Sequence, residues 1–196
     1  MITGKKQKGE NRGYKKGMKV REVLKFTAEL LGLGDGNGGE FDCASPLGEK
    51  LLEKFLTVEN EVALDYLPLV AEDEIVSETG VIFFSELTKT ATRILKISGE
   101  NGESAPFAIY PQYVKTQPSK LVVRYAYAPS EKGLDDEVEA QSCVSPRLLA
   151  YGVASAYCLG EGLYSEATVW EGKYKKALLA AYKVTPSRVV SSRRWV

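Results

Sequence analysis

The sequence predicts an α+β protein: a helical bundle formed by an N-terminal and a C-terminal helix pair, with a small antiparallel β domain inserted between them and extended basic termini. Three observations predict it. Apolar residues recur at three- and four-residue spacing in residues 19–71 and again in 145–184, the period of helices with one buried face. Between them, short runs rich in β-branched and aromatic residues follow one another, and Leu121, Val123, Tyr125 and Tyr127 alternate with Val122, Arg124 and Ala126 as a half-buried strand should. The charge is segregated although the whole chain sums to zero. Residues 1–21 carry eight Lys/Arg against Glu10, and residues 183–196 carry four bases and no acid. The body between them then holds 14 bases against 25 acids, a net −11.

Taken in order, residues 1–18 are Gly- and Lys-rich and read as a basic flexible arm. Val20, Val23, Leu24, Thr27, Leu30 and Leu31 form the stripe of a first amphipathic helix, ended by Gly32 and Gly34, and a Gly-rich loop runs to Cys43. A second helix starts at Ser45-Pro46. The Ser hydroxyl is suited to accept from a free N–H, and the Pro ring presets φ for the first turn. Its stripe is Leu47, Leu51, Phe55, Val58 and Val62, and Pro68 forces its end after Tyr66-Leu67.

Residues 72–130 read as the β insertion, with strands expected at Val81–Phe84, Arg93–Ser98, Phe107–Val114 and Leu121–Tyr127. Asn101-Gly102 and Gln117-Pro118-Ser119 mark reversals, so sequential hairpins are expected. Residues 131–144 form an acidic linker. Residues 145–184 form a helical hairpin that starts at a second Ser-Pro pair, Ser145-Pro146, and turns at Gly160-Glu161-Gly162. The second helix of this hairpin presents Leu163, Ala167, Trp170, Tyr174, Ala177, Leu178 and Ala181 on one stripe. The hairpin core is assigned to Leu149, Val153, Trp170, Tyr174 and Leu178. Thr185-Pro186 stops the last helix, and the ten residues that follow carry four apolar side chains with no evident core of their own. That composition suits docking on another surface.

Composition narrows the chemistry. At 196 residues and 44% hydrophobic, the chain can bury one substantial core. It contains no histidine, which removes the usual general base near neutral pH and the commonest metal ligand. Cys43, Cys143 and Cys158 are too few and too scattered for a disulfide framework, and Cys158 reads as a buried inert thiol. Gly34-Asp35-Gly36-Asn37-Gly38-Gly39 is formally G-x-G-x-x-G. It follows a helix and not a strand, so it reads as a loop and not a phosphate cradle. Read as a calcium loop, it has Glu40 where the sixth position needs Gly and Pro46 where the twelfth needs Glu.

The acidic runs Glu72-Asp73-Glu74 and Asp135 to Glu139 could supply a carboxylate pair for glycoside hydrolysis, but like-charge runs at element junctions read better as solvated connectors. The eleven Tyr and two Trp are not interleaved with enough bases for a stacking platform, so packing is their expected use. No apolar leader or membrane span is evident, and a reducing, soluble compartment is expected. No cofactor, metal or enzymatic activity is expected.

Three segments together resemble the head–tail adaptor (connector, neck or head-completion) proteins of tailed bacteriophages. They are Val58 to Leu69, Leu148 to Leu159, and Tyr164 to Leu178 with the Arg193-Arg194-Trp195 end. The resemblance covers most of residues 18–196 as an element order and leaves the arm 1–17 outside. It implies a virion structural protein assembled as a dodecameric ring on the portal, at the head–tail interface. Such a ring extends the channel through which DNA passes without sequence-specific binding, and it seats a tail or stopper protein. The docking tail it implies falls on Val184–Val196, with Arg188, Arg193 and Arg194 pairing to acidic groups and Trp195 as an aromatic anchor. An acidic body around the channel would repel DNA and keep it sliding. The competing readings are another neck or tail component, such as a tail terminator or stopper, and a nucleic-acid-binding module that uses the basic arm.

Overall fold

The computed structural model describes residues 17–34 and 41–184. The described residues are mixed α+β, with four helices and two small antiparallel sheets. Helix α1 (Val20–Leu31) buries Val20, Val23, Leu24, Thr27 and Ala28 on the expected face. Its first free N–H groups are satisfied from far away in sequence: Val20 and Arg21 donate to the carbonyls of Asp136 and Leu134. Helix α2 (Pro46–Glu61) begins where Ser45 accepts from the Gly48 N–H at 3.2 Å. Before Pro68 it widens into one π-helical turn, Val62–Tyr66. Helix α3 (Pro146–Gly160) repeats the same start, with Ser145 accepting from the Leu148 N–H. Gly162 then takes φ 77°, where a Cβ would be strained, and α4 (Tyr164–Val184) returns.

Helix α3 is the common support: α1, α2 and α4 all pack against it. Gly152 shows how closely. A Cβ placed there would sit 2.6 Å from Val58 of α2 and 3.0 Å from the Tyr174 ring of α4. The helical core joins Val20, Leu24, Leu51, Phe55, Val58, Leu148, Leu149, Val153, Tyr174 and Leu178, side chains drawn from both ends of the chain.

The strands differ from expectation in three ways. First, an unexpected strand, β1 (Leu69–Ser77), carries Glu72-Asp73-Glu74 at its centre, so that run is not a solvated connector. Alternation hides it: its two central outward residues, Glu72 and Glu74, are acids that meet bases on the neighbouring strand, as with Glu72 facing Arg124. Second, Phe107 to Val114 is not one strand. It splits into β4 (Ala108–Ile109) and β5 (Tyr113–Lys115) about Tyr110-Pro111-Gln112, and Val81–Phe84 shortens to β2 (Val81–Phe83) with a 3-10 turn after it. Third, the larger sheet is not built from sequential hairpins. β6 (Ser119–Tyr127) lies between β1 and β3 (Ala91–Gly99), pairing Leu69 with Tyr127 through Ser77 with Ser119. Gln117-Pro118 therefore carries the chain from the smaller sheet (order β2-β5-β4) into the larger one. Leu121, Val123 and Tyr125 of β6 form the inward face of a separate core with Ile82, Ile94, Ile97 and Val114.

The acidic linker is also tied down. Arg21 makes a two-pronged contact with Asp135 at 3.0 and 3.2 Å, and Asp136 accepts from the Gly133 N–H at 2.7 Å. The solvated-connector reading fails there because the linker's carbonyls cap α1 and Asp135 and Asp136 each find a donor.

Candidate functional site

The two helices that lean on α3 leave a groove between them. Its walls come from Thr57, Glu61 and Tyr66 on the α2 side and from Tyr164, Thr168, Glu171, Tyr174 and Lys175 on α4. Gly152, Ser155, Ala156 and Leu159 of α3 form its floor. The volume is about 500 Å³. Its position follows from local sequence: small residues on α3 let α2 and α4 approach, and Ser155 ties α3 to α4 by donating to the Ala167 carbonyl at 3.2 Å.

The electrostatics of the groove are acidic. Burial raises the Glu61 carboxyl above its ordinary value, and the neighbouring Asp65 and Glu171 push it further while Lys175 pulls it back. Lys175 itself pairs with Glu171 one turn away. Tyr174 is only 5% exposed, and its hydroxyl has no hydrogen-bond partner among the described residues. Burial, and then the nearby Glu61, hold that hydroxyl protonated well beyond its ordinary range. A buried O–H without an acceptor costs free energy and has one donor bond to offer an incoming group.

Large apolar side chains of this helical part are exposed. Leu159, Tyr164 and Tyr66 line the groove and are 59, 69 and 42% exposed, and Leu64 and Leu179 stand exposed on the same elements. A second exposed apolar group lies on the smaller sheet. Phe83, Phe107, Ile109 and Tyr110 are open to solvent there, with Tyr110 stacked on Tyr113 at 4.7 Å and Phe83 edge-on to Tyr113.

A third feature is internal. Lys132 and Glu59 form an ion pair at 3.2 Å with side chains 3 and 2% exposed. Glu59 also accepts from the Glu139 N–H, and Lys132 donates to the Ser130 carbonyl at 2.9 Å. Burial pushes the Glu59 carboxyl up, and Lys132 offsets only part of that. One Glu139 oxygen lacks a partner among the described residues, while the other reaches Ser130 and Lys89. The two carboxylates share one lysine, and the adjoining space cannot hold a water molecule. The arrangement is a clamp between α2 and the linker and leaves no room for a substrate.

Of the residues named from sequence, Leu149 and Val153 are fully buried, and Tyr174 and Leu178 nearly so, in the helical core. Trp170 lies at its margin, half-buried, with its ring 5.8 Å from that of Tyr151 and the Lys173 ammonium 3.9 Å above it. Leu163 is exposed and lies off the core. Cys158 is buried, and burial raises its thiol, as suits an inert cysteine. Arg188, Arg193, Arg194 and Trp195 of the tail lie outside the described residues, as do the arm to residue 16 and residues 35–40 of the Gly-rich loop. Among the described residues no group of three or more His, Cys, Asp or Glu is placed to hold a metal ion, and no helix is long and apolar enough to cross a membrane. Sequence reasoning missed Glu59 and Lys132. The available signal was a lysine inside an otherwise acidic linker and a glutamate on the apolar stripe of α2, one residue from Val58.

No family model matches the chain, and no curated protein is significantly similar to it.

Proposed function

We propose that this chain is a non-enzymatic virion structural protein: a head–tail adaptor that forms a homo-oligomeric, dodecameric ring on the portal of a tailed bacteriophage. In this reading it is a helical bundle with a β insertion, and it acts through geometry. The ring lengthens the DNA channel, the tail Val184–Val196 grips the portal, and the far side seats a tail or stopper protein.

The observation that carries the reading is the uncovered apolar surface, present on two separate parts of the subunit. Leu159, Tyr164 and Leu179 stand on the helical part, and Phe83, Ile109 and Tyr110 on the β part. A free monomer seldom leaves large aromatic and aliphatic side chains clustered in water, and a subunit with neighbours on two sides has a use for both groups. The acidic body and basic tail support it further, because identical subunits can offer acidic surfaces to basic extensions.

The test is portal binding. The full chain, mixed with the portal protein of the same phage, should sediment as a ring-sized complex. Removal of residues 187–196 should leave circular dichroism unchanged and abolish the complex. Binding undiminished by that truncation refutes the role of the tail, and a full chain that ignores the portal refutes the adaptor reading.

A further inference from the structure

We propose that the groove between α2 and α4 is the seat of this chain's own C-terminal residues 187–196, held in cis until a partner takes them. The inference goes beyond the adaptor reading and holds whatever partner competes for the tail.

Three observations point to that occupant. The groove is acidic where the tail is basic. Glu61 and Glu171 line it with Asp65 beside them, against Lys175 alone, whereas residues 187–196 bring Arg188, Arg193 and Arg194 and no acid. Guanidinium groups suit such a rim because they can bridge two carboxylates while their stems cover apolar surface. The apolar content matches as well. Leu159 and Tyr164 stand exposed at the groove, and the tail carries Val189, Val190 and Trp195. Within the groove, the Tyr174 hydroxyl is buried and without a partner among the described residues, so a backbone carbonyl of an extended segment would satisfy it.

The reach is sufficient. Glu171 lies thirteen residues before the end of α4, about 20 Å along the helix. Trp195 lies eleven residues after Val184, which spans about 36 Å when extended. A chain reversing near Pro186 therefore passes the exposed Leu179 and arrives at Glu171 and Glu61 with length to spare. Tethering also favours this occupant: a short linker gives the tail a local concentration in the millimolar range, above that of any second copy in dilute solution.

The test uses the full chain labelled with 5-fluorotryptophan. Its two tryptophan signals are told apart by Trp195→Phe. A tail docked most of the time should reduce the water-to-deuterium-oxide shift of the Trp195 signal roughly threefold or more relative to free fluorotryptophan. Glu171→Lys reverses a charge on an exposed helix face, and Thr168→Arg fills the groove from another exposed position. Each should restore the full shift with the helical circular dichroism unchanged. Labelled wild-type chain should also stay shielded in roughly tenfold excess of unlabelled Glu171→Lys chain, since an intramolecular seat ignores its neighbours. A fully exposed Trp195 in the wild-type chain overturns the proposal. So does shielding that survives both Glu171→Lys and Thr168→Arg, and so does shielding lost on mixing, which would assign the tail to a second copy. No arm involves the portal, so failure here and failure of the adaptor reading are read separately.

Discussion

The helical part and the β part of this molecule are held together differently. Among the described residues the helical core contains eighteen buried side chains, centred on α3 and drawn from both ends of the sequence, and the β core contains eight. The helical part adds a closed ion pair, Lys132 with Glu59, and tolerates no added atom at Gly152. The β part divides seven of its eight residues between two three-stranded sheets, with Leu87 from the connection after β2, and relies on polar pins. The chief pin is Tyr125, fully buried, whose hydroxyl donates to Asp73 at 2.7 Å and accepts from the Lys89 N–H at 3.1 Å. Apolar mass and steric fit hold one part, and directed hydrogen bonds hold the other. The teaching is that a thin core can be made specific by a few well-placed polar groups, at the cost of sensitivity to protonation.

The largest effect should come from the ion pair. Lys132→Met leaves Glu59 buried without its cation, while Glu139 keeps Lys89, and should cost about 3–5 kcal/mol in urea unfolding followed by helical circular dichroism. Adding Glu59→Gln should recover much of that loss. If the double variant is no better than the single, the pair does not act as a unit and the helical part has a simpler basis.

Next comes the steric contrast. Gly152→Ala improves intrinsic helix propensity by about 1 kcal/mol, yet its methyl group meets Val58 and the Tyr174 ring. The clash should win, for a net loss of about 1–2 kcal/mol. A stabilised variant would show that α2 and α4 can spread on α3, which would also widen the groove.

The smallest effect should be the loss of the β pin. Tyr125→Phe should cost about 1 kcal/mol, read from near-ultraviolet signals of the β part. Burial raises the Asp73 carboxyl, but the hydrogen bonds from Thr88 and the Tyr125 O–H together outweigh it, and its pKa ends up below the ordinary carboxylate value. Its folded value is thus lower than its unfolded one. The contribution is present above the unfolded value, near pH 4, and is lost as pH falls through the folded value. The wild-type β part should therefore weaken in acid below about pH 4, and Tyr125→Phe should flatten that acid limb. An equal acid limb in both proteins would remove the polar pin from the account.

How much of this was legible depended on how local each signal is. Both Ser-Pro helix starts, at Ser45 and Ser145, and the reversal at Gly162 are fixed by two or three adjacent residues, and the structure has each where the sequence places it. The inward face of β6 follows from its own alternation. Strand β1 was hidden because its acids resemble a connector until Arg124 and Lys120 face them from β6. The order β1-β6-β3 was hidden for a related reason. Partners more than forty residues apart are chosen by which faces can be buried together, and turn residues do not report that choice.

The candidate site shows the same division. The acidity of the body, the basic tail and the small residues of α3 are properties of the chain, readable in order. That Glu61, Glu171 and Tyr174 share one groove is not, because it requires α2 and α4 to lie side by side on α3. The pairing of Lys132 with Glu59 is of that kind too, since 73 residues separate them. The sequence by itself determined the helices, their starts and the distribution of charge, because hydrogen bonding within a turn and burial of a stripe act over a few residues. Only the tertiary structure decided which polar groups would be stranded or satisfied, because desolvation depends on every neighbour brought in from elsewhere in the chain.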